Sequence, residues 1–364
     1  MQIKDITNYL EILAPLSTQE SYDNSGLICG DKNSKVTNAL ISLDCTEAII
    51  QEAIDRGCNL VISHHPIVFS GLKTFTGKNY VERTIIKAIK NDIAIYAIHT
   101  NLDNYEFGVN KKIGDLLEIK SPKILAPTSK TISKLVVLVP NSHKEIVLES
   151  LFNAGAGQIG NYSECSFSTQ GTGSFKANQN ANQFIGKTNE RHLEQETKIE
   201  VLIPNHQISN VLAELMKSHP YEEVAYDIIQ LQNQNKNQGA GMIGELDNEM
   251  DINDFLSHLK TTFKCGIIKH TELIHKKIKT VAWCGGSGSF LLNNAKQQQA
   301  DIFITGDFKY HEFFDAENQI IIADIGHFES EQYTIELISE LLSKKFIKFA
   351  PCLTEINTNP VKYY

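Results

Sequence analysis

Short apolar runs alternate with amphipathic segments through the first third of the chain. Apolar residues recur at the spacing of one helical face over residues 3–13, and helices are also predicted over residues 47–56 and 81–90. Apolar runs with the length of buried strands lie at residues 39–43, 60–62 and 93–98. Because strands alternate with helices, we expect parallel strand pairing with helices packed on the sheet.

The same rhythm returns in the last third of the chain. Helices are predicted over residues 252–263, 311–316 and 334–345, and short strands over residues 281–283, 302–305 and 320–324. We therefore expect an α/β fold in which both ends of the chain, residues 1–129 and 237–364, form one three-layer domain with a mostly parallel sheet.

Residues 130–236 have a different character and are predicted to form an inserted α+β domain. A strand (135–139) and a helix (144–153) precede a segment rich in Gly, Ser, Thr and Asn (154–173), which is typical of hairpins and loops. A strand, a helix and a strand then follow, so two βαβ-like halves predict a ferredoxin-like module. The polar segment 230–239 is interpreted as the exit linker.

Composition narrows the class of protein. No run of eighteen apolar residues is present, and the first residues lack the pattern of a secretory signal, so no membrane span is expected. The seven cysteines are scattered without C-x-x-C spacing, which favours a reducing cytoplasm over a disulfide framework. The net charge of -9 argues against a nucleic-acid partner.

Two adjacent histidines, His64 and His65, end the apolar run at residues 60–62 and precede Pro66. Neighbouring residues at a strand end point in different directions, so these imidazoles serve two metal ions more easily than they chelate one. A pair of histidines in this position therefore indicates a dinuclear centre, provided that carboxylates arrive from elsewhere in the chain.

Further carboxylates and imidazoles follow other predicted strands. Asp103 comes four residues after His99, and His327 and Glu331 are spaced i, i+4, so that both project from one face if a helix begins there. Functional groups gather at the carboxyl edge of a parallel sheet. Three imidazoles and two carboxylates without a thiolate suit zinc, with iron, manganese or cobalt as alternatives.

Several of these motifs resemble a known family. The segments Ser63–Pro66, His99–Asp103 and Gly326–Glu331 are similar to those of the Nif-three-like proteins, which are also catalogued as GTP cyclohydrolase 1 type 2 homologues. Asp23–Leu27 and Thr305–Glu312 match two further family signatures. The departures are Tyr22 where many members carry Trp, and Ser330 where Thr is common.

The resemblance implies two divalent metal ions per chain, held by five ligands: His64, His65, Asp103, His327 and Glu331. It also implies a homohexamer built as a trimer of dimers, with the sites facing an internal cavity. The segments 154–162 and 219–227 are similar to the PII- and CutA-like insert of the longer members. Within that insert, a structural role is preferred for His219 and Glu222 over a ligand role.

Other residues near the same presumed edge are candidates for catalysis or substrate binding. His99 is a candidate general acid–base, with a purely structural hydrogen bond as the alternative, and Glu312 is a second catalytic candidate. The substrate-binding candidates are Lys309, which offers a positive charge to phosphate, His311, Asp307 and Gly286. Gly286 belongs to a glycine-rich segment that could cradle an anion, although a tight turn close to the metals is the preferred interpretation.

The leading functional hypothesis is a metal-dependent hydrolase. The family name implies GTP as the nucleotide substrate, with metal-activated water attacking guanine C8 and formate leaving. The alternatives are a metal-binding or metal-delivery protein, a regulatory protein that senses a small ligand through its insert, and a phosphoesterase that acts on another nucleotide.

Overall fold

The computed structural model describes residues 1–364, which divide into two compact units. Unit 1 consists of Met1–Ala126 together with Gln238–Tyr364, and unit 2 consists of Pro127–Asn237. Two strands run across the boundaries between them.

Unit 1 begins with ten elements in the first segment of the chain. They are α1 (Ile3–Leu13), β1 (Gly26–Cys29), β2 (Ala39–Ser42), α2 (Glu47–Asp55), β3 (Leu60–Ser63), α3 (Tyr80–Lys90), β4 (Ala94–Ala97), α4 (Thr100–Asp103), α5 (Val109–Leu116) and β5 (Lys120–Ser129). Side chains cap two of these helices, because Thr46 accepts from the Ile49 N–H and Asn79 accepts from the Glu82 N–H.

Unit 2 has the element order of a ferredoxin-like module. Its elements are β6 (Ile132–Pro140), α6 (Lys144–Asn153), β7 (Ser166–Lys176), β8 (Arg191–Pro204), α7 (Ile208–Ser218) and β9 (Tyr226–Gln230). The strands form an antiparallel sheet in the order β7-β8-β6-β9. The core packs inward-facing side chains such as Leu135, Val137 and Ile199 against α6 and α7.

The second segment of unit 1 supplies the remaining elements. They are β10 (Gln234–Asp251), α8 (Ile252–Thr262), β11 (Lys269–His270), β12 (Lys277–Ser287), α9 (Leu292–Gln297), β13 (Ile302–Gly306), β14 (Ile321–Asp324), α10 (His327–Glu331), α11 (Thr334–Lys345) and β15 (Cys352–Leu353). The helix predicted over residues 311–316 is a 3-10 helix, Tyr310–Ala316.

Unit 1 contains two mixed sheets, which differs from the single sheet expected from the sequence. One sheet has the order β1-β4-β3-β2-β15 and the other has the order β11-β14-β13-β12-β10-β5. Pairing is parallel from β15 through β4 and from β12 through β14, and antiparallel at β1, β11 and β10. Hydrophobic period identifies strands but not their neighbours, so it could not separate one sheet from two.

The two sheets share one hydrophobic core. Alternate residues of β3 and β4, such as Ile62 and Tyr96, join Trp283 and Ile304 of the other sheet in a core with α1, α5, α8 and α11. The opposite side chains, such as Val61, pack against α2 and α3 in a separate cluster. Because both faces of each sheet are covered, the central strands are fully buried, and their carboxyl ends are held rigidly.

One segment that the sequence predicts to be a linker is largely a strand. Residues 234–251 form β10, which includes most of the polar segment 230–239, whereas the hairpins expected over residues 154–173 agree with β7, which pairs antiparallel with β8. Ladder hydrogen bonds join backbone groups, so a polar stretch of strand leaves little hydrophobic signal.

No helix of the protein combines the length and apolar character that crossing a bilayer demands.

Candidate metal centre

The two adjacent histidines lie at the carboxyl end of β3, as the sequence indicated. The backbone N–H of His64 donates to Ser42 O (3.2 Å) and that of His65 donates to Leu43 O (2.9 Å), which extends the parallel pairing with β2 beyond the strand. The two imidazole centroids lie 5.0 Å apart with planes inclined at 46°. The rings therefore point into one region without sharing an orientation.

His64 presents a buried nitrogen that has no hydrogen-bond partner. Its Nδ1 lies 2.8 Å from the carbonyl oxygen of Ile98, and because that oxygen can only accept, Nδ1 carries the proton. Its Nε2 faces Asp103 Oδ1 at 3.5 Å and Glu331 Oε1 at 3.7 Å. Nε2 of His64 and Oδ1 of Asp103 are both buried and unpartnered, which is the condition that a cation would relieve.

His65 and His327 are oriented by carboxylates on their Nδ1 atoms. His65 Nδ1 donates to Asp44 at 2.8 Å, and His327 Nδ1 donates to Asp307 at 2.7 Å. The two Nε2 atoms lie 3.2 Å apart, and each approaches Glu331 Oε2, at 3.0 and 3.1 Å respectively. Carboxylates placed in this way fix the tautomer and direction of a ligating imidazole.

Glu331 belongs to two separate groups of donor atoms. Its Oε1 faces His64 and Asp103, and its Oε2 faces His65 and His327. Within each group the candidate ligand atoms lie within 4.8 Å of one another. One carboxylate between two sets of donors is the arrangement in which a carboxylate bridges two ions. The structure thus brings together all five metal ligands predicted from the sequence.

The backbone of β12 passes close to the side chain of Glu331. Gly286, at the end of β12, has φ +62°, and a Cβ at this position would lie 2.3 Å from Glu331 Oε1. The N–H groups of Gly285 and Gly286 donate to Asn110 Oδ1 and Ser330 Oγ. These two amides are therefore satisfied within the protein, and the glycine-rich segment is the irregular end of β12, where the pairing register with β13 shifts between Trp283 and Ser287.

His99 lies beside the same histidines and has its own carboxylate. Its Nδ1 donates to Asp23 Oδ1 at 2.8 Å, and its ring centroid lies 5.2 Å from that of His64 and 5.3 Å from that of His65. Asp23 also accepts from the backbone N–H and hydroxyl of Thr100. Although burial opposes ionisation, these hydrogen bonds hold the pKa of Asp23 well below its usual range. Asp23 therefore stays charged and fixes the orientation of His99.

Electrostatics at the centre favour positive charge. Burial disfavours protonation of His65, but hydrogen bonds to Asp44 and Glu331 outweigh it and raise its pKa to about 9. Burial also opposes protonation of His327, but the charge of Glu331 and a hydrogen bond to Asp307 raise its pKa to about 11. Burial and the neighbouring charge of Glu331 raise the pKa of Asp103. The protons on these groups occupy positions where a divalent cation would bind.

A cavity of about 1070 Å³ opens onto this cluster. His65, His99, Asp103, His327 and Glu331 line it, together with aromatic side chains that are each more than half exposed: Tyr22, Phe69, Tyr80 and Phe290. His64 lies behind its neighbours with no exposed surface. The cavity is large enough for a small-molecule ligand.

The remaining sequence candidates fall into two groups. Asp307 lines the cavity and contacts His327, whereas Lys309, His311 and Glu312 are not among the lining residues. Glu312 accepts from the backbone N–H of Lys309, and the ring of His311 packs against Tyr310 and Phe314. In the insert, His219 donates to Leu138 O and accepts from the Tyr221 N–H, which is a structural arrangement.

The sequence interpretation missed Asp44, Ile98 and Thr358. Asp44 comes two residues after β2 ends, so the strand-end argument that identified His64 applies to it equally. The carbonyl of Ile98 and the hydroxyl of Thr358 leave no signal in the sequence, because their roles depend on contacts that form only in the folded protein.

The amino-acid sequence is similar to those of bacterial proteins over almost its whole length. A protein of Halalkalibacterium halodurans named GTP cyclohydrolase 1 type 2 homolog is 37% identical over 363 residues, covering 98% of each chain. A Bacillus subtilis protein with the same name is 36% identical over 366 residues, covering 99% of this chain and 98% of the other.

Solved structures agree with the sequence relatives. The crystal structure of a Bacillus cereus protein related to NIF3 matches with a TM-score of 0.86 at 35% identity, covering 100% of this chain and 99% of the other. A Staphylococcus aureus protein matches with a TM-score of 0.79 at 30% identity over the same shares. The profile of the Duf34/NIF3 (NGG1p interacting factor 3) family matches residues 1–360. On this evidence the chain belongs to the Duf34/NIF3 family.

Proposed function

We propose that the protein is a hydrolase that depends on two divalent metal ions per chain and acts on GTP in the manner of a GTP cyclohydrolase. The observation that carries the proposal is the pair of donor groups that share Glu331 at the wall of a cavity. In the proposal, one ion is held by His64, Asp103 and Glu331, and the other by His65, His327 and Glu331.

The donor set fits such ions. The atoms are imidazole nitrogens and carboxylate oxygens, and two of them, His64 Nε2 and Asp103 Oδ1, are buried without a partner. Burial raises the pKa of the nearby Cys284 thiol, and Cys284 belongs to none of the donor groups. Nitrogen and oxygen donors without sulfur suit zinc, iron, manganese or cobalt.

Ions bound at this position would lower the pKa of water and stabilise the negative charge that develops during hydrolysis. The chain's own contribution is proton transfer and positioning. His99 Nδ1 is engaged by Asp23, so its Nε2 is the atom that can give or take a proton in the cavity. A histidine held in one tautomer by a carboxylate is suited to general acid–base catalysis.

The cavity wall contains aromatic rings on which a planar substrate can stack. Phe69 packs edge-on against His99 with centroids 5.8 Å apart, and its ring is more than half exposed. Exposed aromatic rings in a cavity offer stacking surfaces for a heteroaromatic base. The relatives' shared name adds GTP as the substrate to test first, with formate as the product of cleavage at guanine C8.

The test is formate release from GTP by metal-stripped protein reloaded with zinc, manganese, iron or cobalt. We expect turnover with at least one metal, and a loss of about 100-fold or more in His99→Ala, because a general acid–base contributes about that factor. His270→Ala, at an exposed histidine outside the cavity, serves as the control. No turnover of any nucleotide in a panel, with both ions bound, would exclude the hydrolase.

One observation favours metal delivery as a second candidate. The His327 side chain is 36% exposed, so an ion held there could exchange with solvent. A delivery protein would transfer zinc to a competing apo-protein equally well with and without His99, whereas the hydrolase needs His99. Phosphate release in the same nucleotide panel would identify a phosphoesterase.

The proposal includes assembly and the insert. We propose a homohexamer, a trimer of dimers, and exposed apolar side chains such as Ile12 and Ile347 are compatible with self-association. We also propose that unit 2 is a PII- or CutA-like module that could regulate the site. The absence of disulfides among the seven cysteines supports action in the cytoplasm. Light scattering after gel filtration measures the assembly directly.

A further inference from the structure

Residues 352–361, here called the closing segment, run from the edge of one sheet to the metal centre. They begin with β15, which pairs in parallel with β2, and the Thr354 N–H donates to Ile41 O at 3.0 Å. Thr358 and Asn359 then line the cavity that holds the histidine cluster. The closing segment therefore forms part of the cavity wall.

A chain of hydrogen bonds leads from the closing segment to His65. The hydroxyl of Thr358 donates to Asp44 Oδ2 at 2.5 Å. The other oxygen of Asp44 accepts from His65 Nδ1 at 2.8 Å, and His65 Nε2 faces Glu331. Because both oxygens of Asp44 are engaged, the plane of its carboxylate is fixed, and so is the direction of the imidazole.

A second contact ties the closing segment to α10. Asn359 Oδ1 accepts from the Val361 N–H, which turns Nδ2 toward Glu329, and Nδ2 donates to Glu329 Oε1 at 3.2 Å. Glu329 is buried and lies between His327 and Glu331 in α10. The same segment thus braces candidate ligands from both halves of the centre.

We infer that Thr358 is a positioning residue for the metal centre, acting through Asp44 on His65. This inference rests on the proposed metal site and adds a residue that contacts no proposed ligand directly. Carboxylates that orient ligating histidines typically contribute 10–100-fold to metal affinity. A hydroxyl that holds such a carboxylate in place contributes part of that factor.

The test compares Thr358→Val, which removes the hydroxyl at nearly constant volume, with Thr358→Ser, which keeps it. Zinc dissociation constants of the metal-stripped full-length chain are measured by competition with a chelator at pH 7. We expect about 10-fold weaker binding of one of two zinc ions in Thr358→Val. Thr358→Ser is expected to bind within about 2-fold of the wild type.

Two further variants separate positioning from general loosening of the segment. Thr354→Val removes a hydroxyl from the same segment, at a contact with Glu52 outside the centre, and should leave both constants unchanged. Asp44→Asn should weaken zinc binding by itself, and adding Thr358→Val to it should have no further effect. The double variant keeps the test valid if one substitution also lowers thermal stability.

The outcomes distinguish failure of the positioning role of Thr358 from failure of the proposed metal centre. If the wild type binds two zinc ions, and Thr358→Val and Thr358→Ser have equal zinc dissociation constants, the role of Thr358 is overturned. The proposed metal centre is then unaffected. A wild-type chain that binds no zinc overturns the metal centre, and the role of Thr358 falls with it.

Discussion

At the scale of single residues, the candidate ligands are defined by what holds the far side of each side chain. His64 is fixed by the Ile98 carbonyl, His65 by Asp44 and His327 by Asp307. Each contact engages Nδ1 and leaves Nε2 toward the centre. Three different partners thus produce the same result, an Nε2 atom aimed at a shared position beside Glu331.

Glu331 is the residue on which both donor groups depend. Glu331→Gln replaces one bridging oxygen by an N–H₂ donor that cannot ligate, so we expect metal content to fall from two ions per chain to one or fewer. Elemental analysis of dialysed protein measures this. Glu336→Gln, on the exposed face of α11, is the control. Two ions retained in Glu331→Gln would contradict a bridging role.

The pKa of His65 predicts proton release on metal binding. In the metal-free fold this pKa is about 9, so the ring is protonated at pH 7, yet a ligand must be neutral. Zinc binding should therefore release at least one proton at pH 7 and tighten as pH rises toward 9. Calorimetric titration in buffers with different ionisation enthalpies measures the number, and zero protons released would refute it.

The metal-free protein should show the opposite dependence on pH. The folded-state pKa of His65 is raised from 6.5 to about 9, so folding binds a proton between these values. This stabilisation is complete below about pH 6.5 and is lost as pH rises through 9. Urea unfolding of metal-stripped protein should show a lower midpoint at pH 9 than at pH 7, and His65→Ala should reduce the difference without removing it, because the raised pKa of His327, about 11, acts in the same direction.

At the scale of elements, the centre forms where strands of two sheets end and short turns follow. β3 delivers His64 and His65, β4 leads into α4 with Asp103, and β14 leads through Gly326 into α10. The glycine-rich end of β12 fills the remaining side, with Gly286 close to Glu331. The strands are buried, so the turns inherit rigid starting points.

A side chain at Gly286 should displace Glu331. Gly286→Ala would place a Cβ 2.3 Å from Glu331 Oε1 in a backbone with φ +62°. We expect a loss of about 1–3 kcal/mol in unfolding free energy and at least half of the bound metal. Gly71→Ala, whose Cβ would meet nothing within 4 Å, should change neither quantity. Normal metal content in folded Gly286→Ala would refute the contact argument.

At the scale of the whole molecule, the candidate ligands come from both segments of unit 1. His64, His65 and Asp103 precede unit 2 in the chain, and His327 and Glu331 follow it. All lie in one compact unit whose two sheets share a core. The five candidate ligands are therefore brought together by folding of unit 1, and none of them belongs to unit 2.

Unit 2 should be dispensable for metal binding. β5 and β10, which lead into and out of it, are neighbours in one sheet. Replacing residues 130–236 by a short glycine-containing turn should leave two ions per chain, as measured by elemental analysis. GTP hydrolysis by the same variant then shows whether the insert regulates the site. A folded variant without metal would place part of the centre in unit 2.

Local patterns determined most of the elements and the candidate ligands. Helices such as α2 and α3 lie close to their predicted ranges, because amphipathic spacing and side-chain caps act within a few residues. The five candidate ligands are recognisable because each lies on the short segment or helix that comes next after a strand. The start of β10 resembles a linker in the sequence, because its first residues are polar and backbone pairing leaves no side-chain period.

Only the tertiary structure decided how strands divide into two sheets and which groups orient the histidines. The Ile98 carbonyl, Asp44 and Thr358 matter through hydrogen bonds between residues distant along the chain. The sharing of Glu331 between two donor groups is likewise a matter of distances of a few ångströms. Sequence determines which donor side chains exist and where elements begin, whereas packing of the elements determines which donor atoms come together.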